Sequence, residues 1–315
     1  MKKTASAVAA GLLLAAAGNT VYAEPQVPAA YVAIGDSLAA GQTPNRAIDS
    51  GYADLIAQEL TRNQPLAFYS KDLAFPGFTT SDVLESIESD EAKELLGSAN
   101  IITVSAGAND LLRLVQANAA EGALSFEEIP ADYALNAARK NVEKILSELE
   151  ELAPSADVYV MGYYFAYPHA RDSQKQGTAK QLELLNAILE QEAEQAGVTF
   201  VDVADRFSED AVELVPNSGD VHPNVDGYQE MANAFFEHYG GELEVEDAEL
   251  PEPAPVTFEE IQQMQEQEEE QPPGEADGAQ EEPATEDASS EDSAAKPFEG
   301  EKLDYLAIRQ ALPLI

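Results

Sequence analysis

The chain has 315 residues, with 17 basic and 59 acidic side chains, a formal net charge of −42 and no cysteine. Without cysteine there is no disulfide, no thiolate metal site and no lipid-modified cysteine. A surface this acidic repels nucleic acid and anionic lipid, so neither is expected as a partner.

The acidic excess is spread along the chain. Residues 24–245 carry 12 basic and 38 acidic groups, and residues 246–315 carry 3 and 21. Such a surface stays soluble where salt screens its self-repulsion, which fits a halophilic or salt-tolerant source. The N-terminus has Lys2 and Lys3, an Ala-rich apolar run from Ala5 to Ala17, then Val21-Tyr22-Ala23. That pattern predicts a secretory signal peptide over residues 1–23, cleaved after Ala23, and hence a secreted protein; an uncleaved anchor is the alternative. No other run is long and apolar enough for stable membrane insertion.

In the body of the chain, Tyr31 to Ile34 reads as a buried strand that stops at Gly35-Asp36-Ser37-Leu38. Tyr52, Leu55, Ile56 and Leu60 share one helical face, and Leu66 to Tyr69 is a short strand. A Phe75-Pro76-Gly77-Phe78 turn follows, and Thr79 to Asp82 supply N-cap chemistry for a helix carrying Val83, Leu84 and Ile87. Ile101 to Val104 is the clearest buried strand and stops at Ser105-Ala106-Gly107-Ala108-Asn109-Asp110. A long helix is predicted over Tyr133 to Leu152, a strand over Val158 to Gly162, and a helix over Ala179 to Ala196. A strand over Val198 to Val203, an irregular stretch from Asp205 to Val221 and a closing helix from Pro223 to Phe236 complete the domain.

Short apolar strands alternating with longer helices predict a doubly wound α/β domain over residues 24–245. Its form is a flavodoxin-like three-layer α/β/α sandwich with a mostly parallel sheet of about five strands. From residue 246 to 300 the composition shifts to Glu, Gln, Pro, Ala and Ser. It predicts an acidic disordered tail, with a weak helix from Thr257 to Gln267. Residues 301–315 are apolar again, either a short docking helix or a frayed end, and no partner for the tail is identified.

Three strand ends carry small and polar residues: Gly35-Asp36-Ser37, Phe75-Pro76-Gly77 and Gly107-Ala108-Asn109-Asp110. A fourth piece, Gly219-Asp220-Val221-His222-Pro223-Asn224, precedes the last helix. Strand ends of a parallel sheet line one edge, so the four can converge. Ser37 read alone is a helix cap; read with His222 it is a nucleophile with a base. The N–H groups of Ser37 and Gly77 and the amide of Asn109 are the donor types that a tetrahedral oxyanion needs.

This layout resembles the SGNH hydrolases, the GDSL-type lipases, esterases and acylhydrolases. The matching pieces are Gly35-Asp36-Ser37-Leu38, the isolated Gly77, Gly107-Ala108-Asn109-Asp110 and the late His222-Pro223, in order, over roughly residues 30–240. The stretches Val160 to Tyr164 and His222 to Tyr228 look most like secreted bacilli-type members. The resemblance implies that Ser37 is the nucleophile, His222 the base, and Ser37, Gly77 and Asn109 the oxyanion hole. It implies hydrolysis of a small ester or lipid through an acyl-Ser37 intermediate, with no cofactor.

One position departs from the family pattern, which places an Asp three residues before the histidine. Here that residue is Gly219, and the nearest acid is Asp220, two residues before His222. Either Asp220 orients the imidazole or a backbone carbonyl does, leaving a Ser-His dyad. His169 and His238 read as surface or packing residues, and Asp36 and Asp110 as hydrogen-bonding groups of turns. Asp49, Asp54, Asp202 and Asp205 lack metal-ligand spacing, so no metal is expected. Tyr163, Tyr164, Phe165 and Tyr167 read as core, with acyl-chain binding as the second reading. A carbohydrate O-acetylesterase and a catalytically silent surface-interaction module remain the alternatives to a lipid acylhydrolase.

Overall fold

A computed structural model describes residues 27–240, 242–261 and 263. The expected signal peptide, the helical continuation to Gln267 and the terminal segment 301–315 therefore lie outside the described residues, as does most of the expected tail.

Five parallel strands form the central sheet: β1 (Ala29–Gly35), β2 (Leu66–Ala74), β3 (Ile101–Ser105), β4 (Asp157–Met161) and β5 (Thr199–Val201). Their spatial order is β2-β1-β3-β4-β5. Among the described residues up to Tyr239, eight α-helices accompany them: α1 (Ser37–Ala40), α2 (Tyr52–Asn63), α3 (Thr80–Ser86), α4 (Asp90–Gly97), α5 (Ala108–Leu112), α6 (Glu128–Leu152), α7 (Asp172–Ala196) and α8 (Val225–Tyr239). α2 packs on α8, while α6 packs against α3, α4, α5 and α7, giving the expected helix layers around the sheet.

β1 and β3 are buried along their whole lengths, as strands covered on both faces must be. Their polar tyrosine neighbours are satisfied inside the core. Tyr31 Oη and Thr103 Oγ1 lie 2.8 Å apart, as do Tyr52 Oη and Ser105 Oγ.

The register sets where chemistry can sit. Gly35 pairs with Ala74 on one side and Ser105 on the other, so β1, β2 and β3 end at one level. The segments carrying Ser37, Gly77 and Asn109 therefore leave the sheet side by side. The chain runs outward from β1 to β2 and returns past β1 to β3, which opens a crevice between those two strand ends. Gly35 is obligatory there, because its φ is 137° and an added Cβ would lie 2.1 Å from the carbonyl oxygen of Ser105.

Several elements differ from expectation. α6 begins at Glu128 rather than Tyr133, because Pro130 sits in its first turn, where a missing N–H costs nothing. α7 begins at Asp172 rather than Ala179; its first two turns bury Lys175 and Thr178 instead of an apolar stripe. Lys175 is held there by the carboxylate of Asp210 and by the carbonyl of Glu209 at 3.1 Å. A two-stranded antiparallel ribbon, Gln116–Asn118 with Ala123–Ser125, follows α5 and has no apolar signature in the sequence.

The C-terminal boundary also moves. Residues 246–257, assigned by composition to the tail, lie against the domain. Val245 is buried, and its N–H and carbonyl are both bonded to the Asn233 side chain of α8. Val256–Thr257 then pairs antiparallel with Ala47–Ile48. Thr257 caps a helical turn over 258–261 through Glu260, at the expected start of the weak helix.

Candidate active site

Ser37 is the first residue of α1, where the chain turns from strand to helix. Asp36 caps that helix: one carboxylate oxygen accepts the Leu38 N–H at 3.0 Å and the other accepts the Tyr163 hydroxyl at 2.7 Å. These bonds fix the backbone on which the Ser37 side chain stands. Burial pushes the Asp36 carboxyl up to about 6, against the opposing pull of its hydrogen bonds to Tyr163 and Leu38.

His222 lies on the loop before α8 with its Nε2 2.7 Å from Ser37 Oγ. Its other ring nitrogen, Nδ1, is 2.5 Å from Asp220 Oδ1, and the same oxygen accepts the His222 backbone N–H at 2.9 Å. Burial raises the Asp220 carboxyl, but the hydrogen bond and charge of His222 outweigh it, aided by Arg46, and the net shift is downward. Asp220 therefore stays ionised and accepts from Nδ1–H, which leaves the Nε2 lone pair facing the serine hydroxyl. Ser37, Asp220 and His222 all have little solvent exposure.

Asn109 stands in the first turn of α5, and its amide donates to the carbonyl of Phe78 at 2.9 Å. Asn109 is thus tied to the turn that carries Gly77, whose φ of 86° is a left-handed conformation with open space where a Cβ would be. Asp110 secures the same corner by accepting the N–H and hydroxyl of Thr80 at 2.9 and 2.8 Å. Ser37, Asn109 and His222 line one cleft; Gly77 borders it through the Phe78 contact rather than lining it.

That cleft encloses a cavity of about 80 Å³ and opens to solvent at its mouth. Beyond the polar entrance its walls are apolar: Leu111 in α5, Leu114 and Val115 after it, Phe126 after the ribbon, and Leu182 and Leu185 on α7. Phe165 and Tyr167 line it too, whereas Tyr164 also stacks on Phe207 at 4.2 Å in the core. Tyr163, Tyr164 and Phe165 are buried, as the core reading expects, and all four aromatics have atoms on the cleft wall. Among the described residues no group of three or more His, Cys, Asp or Glu side chains is placed to hold a metal ion.

The model of the GDSL-like Lipase/Acylhydrolase family matches residues 33–230, well over half of the chain. The chain belongs to the GDSL-like lipase/acylhydrolase family. This GDSL-type ester hydrolase shares its fold with a lipase, Lip_vut3, from a goat rumen metagenome, at 21% identity and a TM-score of 0.54, covering 68% of this chain and 99% of that one. It is also similar to a catalytic mutant of an acetylxylan esterase from Geobacillus stearothermophilus, at 18% identity and a TM-score of 0.51, covering 69% and 97%. No curated protein matches.

The remaining candidates of this GDSL-type chain fall away from the cleft's chemistry. His169 bonds the Val215 carbonyl through Nε2 at 2.8 Å, and His238 is exposed at the end of α8. Sequence reasoning missed Gln42, whose side-chain nitrogen lies 3.3 Å from His222 Nδ1, and Arg46, whose Nε is 4.0 Å from Asp220 Oδ2. Nothing in a polar turn such as Gly41 to Ser50 marks those two residues out; only the fold brings them to the histidine.

Proposed function

We propose that the chain is an exported serine esterase that hydrolyses carboxylic esters of extended acyl chains, with Ser37 as nucleophile, His222 as base and Asp220 as its orienting acid. The observation that carries the reading is the 2.7 Å contact between His222 Nε2 and Ser37 Oγ at the mouth of an apolar cleft. Export rests on the N-terminal pattern of Lys2, Lys3 and the apolar run after them.

In this reading the Ser37 hydroxyl attacks the ester carbonyl as His222 Nε2 takes its proton. The tetrahedral oxyanion is met by the N–H groups of Ser37 and Gly77 and by the Asn109 amide. Collapse expels the alcohol, which receives the proton from the imidazolium, and leaves acyl-Ser37. Water, deprotonated by the same imidazole, then releases the acid. The Asp220 carboxylate stabilises the imidazolium formed in each half. The acyl chain lies along Leu111, Leu114, Val115, Phe126, Leu182 and Leu185, where each buried methylene contributes about 0.8 kcal/mol.

An acetyl group stops short of the apolar side chains beyond the entrance, which disfavours a sugar O-acetylesterase. The test is the hydrolysis of p-nitrophenyl esters from acetate to decanoate, with Ser37→Ala as control. Rates should rise beyond acetate and vanish in the variant. Activity confined to acetate points instead to deacetylation, and no activity on any ester points to a silent binding module.

A further inference from the structure

The turn after α1, residues 41–50, is held between two parts of the protein that are far apart in sequence. On one side it meets the histidine loop and the first turn of α8. Pro44 accepts from the Asn217 amide at 2.7 Å, Gln42 accepts the Tyr228 hydroxyl through its carbonyl at 2.7 Å, and the Gln42 side chain reaches His222 Nδ1. On the other side it meets the C-terminal segment. Ala47–Ile48 pairs with Val256–Thr257, and Asp49 Oδ2 accepts the Ala254 N–H at 3.1 Å.

The turn is closed on itself, by the Thr43 N–H on the Ala47 carbonyl at 2.8 Å and the Asp49 N–H on the Gly41 carbonyl at 2.9 Å, so a pull on Ala47–Asp49 is passed to Gln42. Its strand is two residues long, a length that is not stable without a partner. Arg46 at its tip has a φ of 58°, the one positive value outside glycine among the described residues, so surrounding contacts must impose the shape. The C-terminal segment is in turn anchored on α2 and α8. Gln229 binds the Val245 carbonyl at 2.9 Å and Asp247 at 3.0 Å, and Arg62 binds the Glu249 carbonyl at 3.2 Å.

We propose that residues 245–257 form a strap that clamps the turn against the histidine loop, and that Gln42 is the positioning residue through which the strap acts on His222. This rests on His222 being the base for Ser37. Asp220 takes the Nδ1 proton while the buried Gln42 side chain packs against the same edge of the ring, 3.3 Å from Nδ1, so the imidazole keeps Nε2 aimed at the serine. Gln42 is itself buried, and its own N–H is bonded to the Ser37 carbonyl at 2.9 Å, so one residue is tied to both reacting partners. Loosening the strap frees the turn, the turn frees Gln42, and the ring loses one of its two restraints.

The test uses the full-length protein in three forms: Gln42→Ala, Val256→Pro with Thr257→Pro, and all three substitutions together. Measurements are kcat and KM on the best p-nitrophenyl ester, the rate of Ser37 modification by a fluorophosphonate, and the melting temperature. Each of the first two forms should lower kcat and the modification rate ~10-fold, because small misplacement of a reacting group is costly. KM should stay within about twofold, and the combined form should be no worse than either parent, since coupled sites are non-additive. If the proline form fails to fold, Asp49→Ala, which removes the Ala254 anchor together with the local bond to the Ser50 N–H, takes its place in the same comparison. Unchanged kcat, or losses that multiply in the combined form, overturns the strap and leaves the esterase reading intact. Full activity in Ser37→Ala overturns both.

Discussion

One oxygen of Asp220 accepts both the backbone N–H and the ring Nδ1 of His222, at 2.9 and 2.5 Å. The backbone bond closes a tight turn over Asp220-Val221-His222 and carries the carboxylate back to the imidazole two residues on. A spacing of two thus reaches the ring from a loop.

Replacing Asp220 with Ala therefore removes both the orienting acceptor and the counter-charge of the imidazolium. The expected result is a fall in kcat of about 100-fold or more with little change in KM, as for other orienting acids. Steady-state kinetics on a p-nitrophenyl ester decides it. Undiminished activity shows that a backbone carbonyl holds the ring instead.

The apolar cleft makes a prediction about chain length. Leu182 lines it from α7, so Leu182→Trp fills space that an extended acyl chain needs while leaving Ser37, Asn109 and His222 untouched. Octanoate hydrolysis should fall ~10-fold or more while acetate hydrolysis stays within a few-fold, given the cost of overfilling an apolar site. Equal loss on both esters contradicts the assignment of the cleft to the acyl chain.

Asp36 gives the fold a pH dependence of definite sign. Burial raises its carboxyl from 3.8 to about 6, so between those values the native state keeps a proton that the unfolded chain has lost. Its contribution to stability falls as pH rises through that window and stays unfavourable above it. Asp36→Asn keeps an oxygen for the Leu38 N–H and removes the buried charge. Urea unfolding at pH 5 and pH 8 should show the variant gaining on the wild type at the higher pH, by roughly 1.5 kcal/mol, since part of the penalty is already present at pH 5. The same difference at both pH values contradicts it.

The acidic surface predicts a salt response. With 59 acidic and 17 basic groups, self-repulsion weakens the folded state at low ionic strength. The melting temperature should rise from low to molar NaCl. A flat or falling curve removes the salt-adapted reading.

The parts of this architecture that were legible in the sequence are those that bury apolar side chains in a regular period. β1 and β3 are continuous apolar runs because helices cover both faces, and each stops at the small residues the crevice requires. The layout of Ser37, Asn109 and His222 was legible for the same reason, since strand ends and the start of α8 fix where those residues emerge. Contacts made by backbone and polar groups left no such trace. The ribbon at 116–125 has exposed or half-buried residues throughout, and the strap buries only Val245 fully. Asp54, Lys71 and Tyr69 form a further example, a polar cluster on the β2 edge with Lys71 Nζ 2.7 Å from Asp54. Gln42 is invisible until the loop before α8 folds onto it.

The central claim is that ester cleavage passes through a covalent bond to Ser37. Treating the protein with a fluorophosphonate and mapping the peptides by mass spectrometry tests it directly. The account predicts one added phosphonyl group, on the peptide containing Ser37, with ester hydrolysis lost in step, and no label in Ser37→Ala. Label on another residue, or continued hydrolysis with Ser37 fully modified, would contradict it.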